Sequence, residues 1–116
     1  MSPAATLRDL GVADAEALVA LYQHLNPGDP PPSPEAVRGA FAHPGLRHFG
    51  RFAGDRLIAS CNLAVIPNLT RGGRSYGVIE NVVTQADHRG QGHGQAVIQH
   101  ALQQAWRAGC YKVVLT

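Results

Sequence analysis

A chain of 116 residues has room for one domain and a single core, near the small end for an enzyme. Apolar content of 45% and charged content of 16% fit a globular chain, and no segment approaches the ~20 apolar residues of a membrane span. The formal charge of +2 is uneven: residues 1 to 87 hold seven arginines against eight acids, while residues 88 to 116 hold Arg89, Arg107 and Lys112 and no acid. Positive potential gathered there suits a phosphorylated ligand, and three scattered charges are too few to argue for nucleic acid. The start, MSPAATLRDLG, has neither the charged region nor the apolar run of a signal peptide, so a cytoplasmic protein with no membrane partner is expected.

Thr6 to Leu10 predicts a short first strand, broken by Gly11. Asp14 can then cap a helix with the face Leu18, Leu21, Tyr22 and Leu25, ending at Asn26-Pro27-Gly28. Five prolines within Asn26 to Pro34 make a stiff, donor-poor loop. Ser33 is the N-cap and Pro34 the first position of a second helix through Ala36, Val37, Ala40 and Phe41, stopped at His43-Pro44-Gly45. Arg47 to Ala53 and Arg56 to Ile66 flank the turn signal Gly54-Asp55 and predict a hairpin. Asn68 to Ser75 is a loop into a strand that starts at Tyr76 and is β-branched and apolar from Val78 to Thr84. From Gly94 to Ala108 the residues Val97, Ile98, Ala101, Leu102, Ala105 and Trp106 form one apolar face, expected in the core. Gly109 stops that helix and Tyr111 to Leu115 forms a last strand, so strand, helix and strand make a βαβ unit with parallel strands.

The turn Arg89-Gly90-Gln91-Gly92-His93-Gly94 carries the strongest chemical signal. Three alternate glycines fall where the first helical N–H groups lack intrahelical acceptors, so an anion can approach backbone donors with no Cβ in the way. A Walker loop fails, because the fifth residue after Gly90 is Gln95 and no Lys or Ser stands nearby. A dinucleotide fingerprint fails as well, because the spacing leads to Gln95 or Val97 and no acid follows Asp87. A glycine turn with no ligand stays open on these residues alone.

The R-x-x-G-x-G run at Arg89 to Gly94, preceded by Val82-Val83-Thr84 and followed by an amphipathic helix and a strand, resembles motif A of the GCN5-related N-acetyltransferases (GNAT). The stretches I-E-N-V-V-T and G-C-Y-K-V-V-L are similar to small-molecule members of the glucosamine-phosphate type. The specific match covers about a third of the chain, and the remainder agrees in the order of its elements. The resemblance implies an α+β fold with a mixed, mostly antiparallel sheet and helices on both faces, ending at the fifth strand as one C-terminally incomplete domain. Family members continue with another helix and about two strands, so an edge at Tyr111 to Thr116 is expected to be covered by a second copy, as a homodimer, or by further chain. A tolerated edge is the alternative.

The resemblance also implies an activity, transfer of the acetyl group of acetyl-coenzyme A to a small-molecule primary amine by direct attack in a ternary complex. A non-catalytic acyl-coenzyme A binding module is the rival reading. In the family the turn holds the cosubstrate's pyrophosphate, which maps to Arg89, Gly90, Gln91, Gly92, His93, Gly94 and Gln95. Backbone groups that hold the pantetheine arm and the oxyanion map to Val82, Val83 and Thr84. Glu80 is the only carboxylate in the strand leading to the turn, and burial would raise its pKa toward that of a general base; a purely structural pairing is equally open. Asn81 stands where the glucosamine-phosphate enzymes carry Asp, and is expected on the acceptor substrate. Tyr22, Tyr76 and Tyr111 match no family general acid.

His24, His43 and His48 read as surface residues, His93 as a backbone donor, and His100 as lying on the polar side of its helix. No metal-ligand spacing occurs, so no metal is expected. Cys61 and Cys110 are expected as two buried thiols. Arg71 and Arg74 could hold an anionic group of the acceptor or belong to a solvated loop.

Overall fold

The computed structural model describes residues 5–116; the first four residues, part of the leader reading, lie outside the described residues. Five strands, β1 (Ala5–Asp9), β2 (Leu46–Ala53), β3 (Arg56–Ile66), β4 (Tyr76–Thr84) and β5 (Val113–Leu115), form one sheet in chain order. The first four are antiparallel to their neighbours, and β5 runs parallel to β4. Helices α1 (Ala15–Tyr22) and α2 (Pro34–Ala42) precede the central hairpin, and α3 (His93–Arg107) connects β4 to β5. This is the α+β architecture expected from the sequence.

Two apolar clusters divide the core. Val97, Ala101 and Ala105 of α3 pack with Phe49, Cys61, Leu63 and Ile79, all essentially inaccessible to solvent. Leu18 and Leu21 of α1 pack with Leu10, Phe52, Leu57 and Val83. Each large side chain so buried contributes roughly 1.5–3 kcal/mol. The helix stripe is narrow because residues at i, i+4 and i+8 face the sheet. Trp106, one residue further round, is 51% exposed, and Leu102 is only half-buried, so the expected Leu102 and Trp106 core is corrected to a flank.

Local chemistry explains most boundaries. The Ser33 hydroxyl accepts from the Ala36 N–H at 3.1 Å, the expected cap. Asp14 precedes α1 as expected but uses its carboxylate to accept from the Gly11 N–H and from Arg8, closing the turn out of β1. Helix α1 ends at Tyr22, before the Asn26-Pro27-Gly28 signal, and the Gln23 amide ties down the following loop by donating to Asp29 O and accepting from Gly28 N, each at 3.0 Å. Strand β5 is shorter than Tyr111 to Leu115: it pairs only with Gly77, Val78 and Ile79, and Val114 and Leu115 are exposed rather than buried on both faces. Among the described residues no helix is long and apolar enough to cross a membrane.

Candidate active site

Strand β4 is regular only in its first half. Glu80 lies opposite Asn62 and Val83 opposite Ser60, so Asn81 and Val82 together face the single residue Cys61. This is a β-bulge, and Asn81 takes φ 54°, a left-handed conformation uncommon outside glycine but most tolerable for Asn and Asp. The extra residue flips the side-chain alternation, so Ile79 packs under α3 while Val83 enters the α1 cluster. Beyond Ile79 no described residue pairs with the β5 side of β4 as a strand, so the backbone from Glu80 to Thr84 has a strand neighbour on one side only.

That half-paired segment leads into the glycine turn. Gly90 and Gly92 have φ of 75° and 86°, and a Cβ at either would meet nothing within 4 Å. Their requirement is conformational. Gly94 is helical, and a Cβ there would lie 3.3 Å from the Thr84 hydroxyl oxygen, so this glycine lets α3 approach the end of β4. The first helical bond recorded runs from Ala96 N to Gly92 O at 3.0 Å. The N–H groups of His93, Gly94 and Gln95 therefore have no acceptor within the helix, at the positive end of its dipole.

The Arg89 guanidinium has another task in this structure. It donates to Thr84 O at 3.3 Å and His24 O at 2.8 Å, and the His24 ring accepts from the Ala86 N–H, so α1 is tied to the turn. Glu80 and Asn81 are both exposed, which corrects the expected burial of Glu80. The bulge and the one-sided pairing keep this stretch at the surface. The Thr116 hydroxyl donates to Glu80 Oε1 at 2.8 Å.

Four features come from tertiary packing rather than spacing. Arg51 Nε donates to His93 Nδ1 at 2.9 Å, so His93 engages by its ring as well as its backbone. The Tyr22 hydroxyl oxygen is buried with no hydrogen-bond partner; the Asn81 side chain is near it without bonding geometry. Burial pushes the Tyr22 pKa up to about 12, so it remains a proton donor. His48, expected at the surface, is 7% exposed against Phe41, with ring centroids 4.8 Å apart. His100 similarly packs edge-on against Phe49 at 4.9 Å rather than on a fully polar face.

Cys61 and Cys110 are free and buried, and burial pushes the Cys61 thiol up to about 12, far from a nucleophile's range. Arg74 donates to Cys110 O, and Arg71 lies over the Tyr111 ring, so both arginines of the β3–β4 loop have intramolecular contacts. No group of three or more His, Cys, Asp or Glu among the described residues is placed to share a metal ion.

A mostly antiparallel open sheet whose fourth strand bulges, loses its neighbour and runs into unpaired helical N–H groups defines the class, an α+β chain of the N-acyltransferase architecture. Residues 15–116 match the Acetyltransferase (GNAT) family, and the chain belongs to it. A glucosamine 6-phosphate N-acetyltransferase of Trypanosoma brucei brucei is 43% identical over 52% of this chain, but that match spans only 41% of its own length. Glucosamine 6-phosphate N-acetyltransferase 1 of Oryza sativa subsp. japonica is 33% identical over 94% of this chain and 70% of its own. An acetyltransferase candidate from Agrobacterium tumefaciens superposes with TM-score 0.89 at 43% identity, over 96% of this chain and 80% of that one.

Proposed function

We propose that this chain forms a single N-acetyltransferase domain that moves the acetyl group of acetyl-coenzyme A to a primary amine of a small molecule. The observation that carries the reading is the continuity of two stretches with open backbone groups, the edge of Glu80 to Thr84 that faces away from β3 and the N–H groups of His93, Gly94 and Gln95. The first suits an extended amide-bearing arm, the second a diphosphate. In this reading the arm lies along Val82, Val83 and Thr84, and the diphosphate sits in the turn from Gly90 to Gln95. Arg89 contributes there chiefly by pinning the turn, since its guanidinium is already engaged.

The amine nitrogen attacks the thioester carbonyl carbon, a backbone N–H near the bulge stabilises the oxyanion, and collapse breaks the C–S bond. The amine proton passes to Glu80, directly or through a water, and is returned from there to solvent, while the departing thiolate takes up one proton from solvent. The Thr116 hydroxyl orients the Glu80 carboxylate by its hydrogen bond. Asn81 stands on the acceptor side of the bulge. The names of the Trypanosoma and Oryza relatives support an amino-sugar phosphate as the acceptor class.

Acetyl transfer measured over a panel of amines that includes glucosamine 6-phosphate tests this reading. Turnover with an amino-sugar phosphate well above that with simple alkylamines is expected. Tight coenzyme A binding with no transfer to any amine would instead favour a binding module.

A further inference from the structure

Gly90 and Gly92 stand in open space, so packing does not hold the turn between them; its shape depends on its two ends. The upstream end is fixed by Arg89 on Thr84 O and His24 O, and by the Gln85 side chain accepting from the Asp87 N–H at 2.9 Å. The downstream end is His93, the first residue of α3. Its ring lies 6.0 Å from that of His88, and its Nδ1 accepts from Arg51 Nε at 2.9 Å. Arg51 is anchored within the sheet, paired with Leu7 of β1 and Ala59 of β3. Among the described residues it forms no ion pair with a carboxylate.

We propose that Arg51 is a positioning residue for the diphosphate-binding turn: through His93 Nδ1 it fixes the start of α3 and thereby the N–H groups that meet the ligand. The inference rests on the diphosphate reading above. An arginine Nε can only donate, so His93 must present an unprotonated Nδ1 and keep its proton on Nε2. A protonated ring has no acceptor to offer and places a second cation beside Arg51.

Around this ring stand Arg51 from β2 and, from the segment before the turn, His88 and Asp87, which line the same cavity of about 340 Å³ with Gln91; its other lining residues, Ala5, Ala53 and Ile58, carry no charge. Desolvation first, then Arg51 and His88, lower the His93 pKa and so favour the neutral ring. A ring that instead touched phosphate directly would bind better when protonated. The pH dependence of affinity therefore has opposite signs for a brace and for a direct contact.

Calorimetric titration of coenzyme A from pH 5.5 to 8 into wild type, Arg51→Met, His93→Phe and His93→Asn tests the brace. Arg51→Met and His93→Phe should each weaken binding about tenfold at pH 7.5, the scale of one lost charge-assisted hydrogen bond. His93→Asn places a carbonyl oxygen close to the position of Nδ1, so it should regain most of the loss that His93→Phe shows. Wild-type affinity should fall as the pH drops through the His93 value, which lies below the ordinary 6.5, and His93→Asn should lack that fall. In turnover, Arg51→Met should raise KM for acetyl-coenzyme A more than it lowers kcat. Arg51→Met binding like wild type, or wild-type affinity rising as the pH falls, overturns the proposal. Gly92→Val separates the two readings: if it abolishes binding while Arg51→Met and His93→Phe do not, only the brace is lost. If wild type binds no coenzyme A at any pH, both readings fall.

Discussion

The two halves of β4 meet between Ile79 and Glu80 and are built for different ends. From Gly77 to Ile79 the strand pairs on both sides, with Gly77 and Ile79 buried. From Glu80 to Thr84 it pairs with β3 alone, bulges at Asn81, and exposes two polar side chains in succession. The first half follows the rule that a buried strand spends its backbone groups on neighbouring strands. The second half breaks that rule, and keeps donors and acceptors for something that is not a strand. Stability and chemistry should therefore separate along this strand, and substitutions can test how cleanly they do.

The largest effect is expected from the paired half. Ile79 is fully buried beneath α3, so Ile79→Ala should cost about 2–5 kcal/mol in denaturant unfolding. The per-molecule affinity of the remaining folded protein for coenzyme A should change little. A loss of affinity as large as the loss of stability would mean that the two halves are not separable.

In the half-paired segment, Glu80→Gln keeps the shape and the Thr116 contact while removing the proton-accepting oxygen. Turnover should drop about 10²-fold or more at neutral pH, roughly 2.7 kcal/mol, with coenzyme A affinity near wild type. Raising the pH should recover part of the rate. A rate within about threefold of wild type would assign Glu80 to structure instead.

Next comes the turn. Gly92→Val forces a β-branched residue into φ 86° and should weaken coenzyme A binding by about tenfold or more. Gly94→Val should differ in kind, because its Cβ meets the Thr84 hydroxyl at 3.3 Å and pushes α3 from β4, lowering thermal stability together with affinity. If both variants lower affinity without changing the melting temperature, Gly94 serves the ligand rather than the helix–strand contact.

What could be read from the chain follows the same division. The Ser33 cap, the Gly54-Asp55 hairpin and the α3 periodicity are local, so neighbouring residues carry the information. The glycine turn was legible because left-handed backbone leaves a residue-type signature at Gly90 and Gly92. The bulge was not, since an Asn in a strand looks ordinary until the register with Cys61 is known. Arg51 and His93 meet across 42 positions of sequence, and only the sheet brings them together. Exposure of Trp106 and burial of His48 likewise depend on which side of an element meets its neighbour, which composition does not reveal.

The smallest expected effect lies at His48, two strands across the sheet from Glu80. Its ring packs on Phe41 in a small cavity of about 100 Å³ between α1 and α2, and burial holds its pKa below the ordinary 6.5. The folded state thus prefers the neutral ring, while the unfolded chain takes up a proton near 6.5. The unfolded state binds more protons throughout that window, so His48 contributes stability above pH 6.5 that declines as the pH falls toward the folded-state value. His48→Phe, aromatic and unable to titrate, should remove this part of the slope while the other titrating groups remain in both proteins. Urea unfolding of the two proteins at pH 7.5 and pH 5.5 checks it: the stability difference should shift in favour of His48→Phe at the lower pH. An unchanged difference would mean that the ring protonates without leaving its place, and that the α1–α2 side of the sheet admits water where the packing suggests it does not.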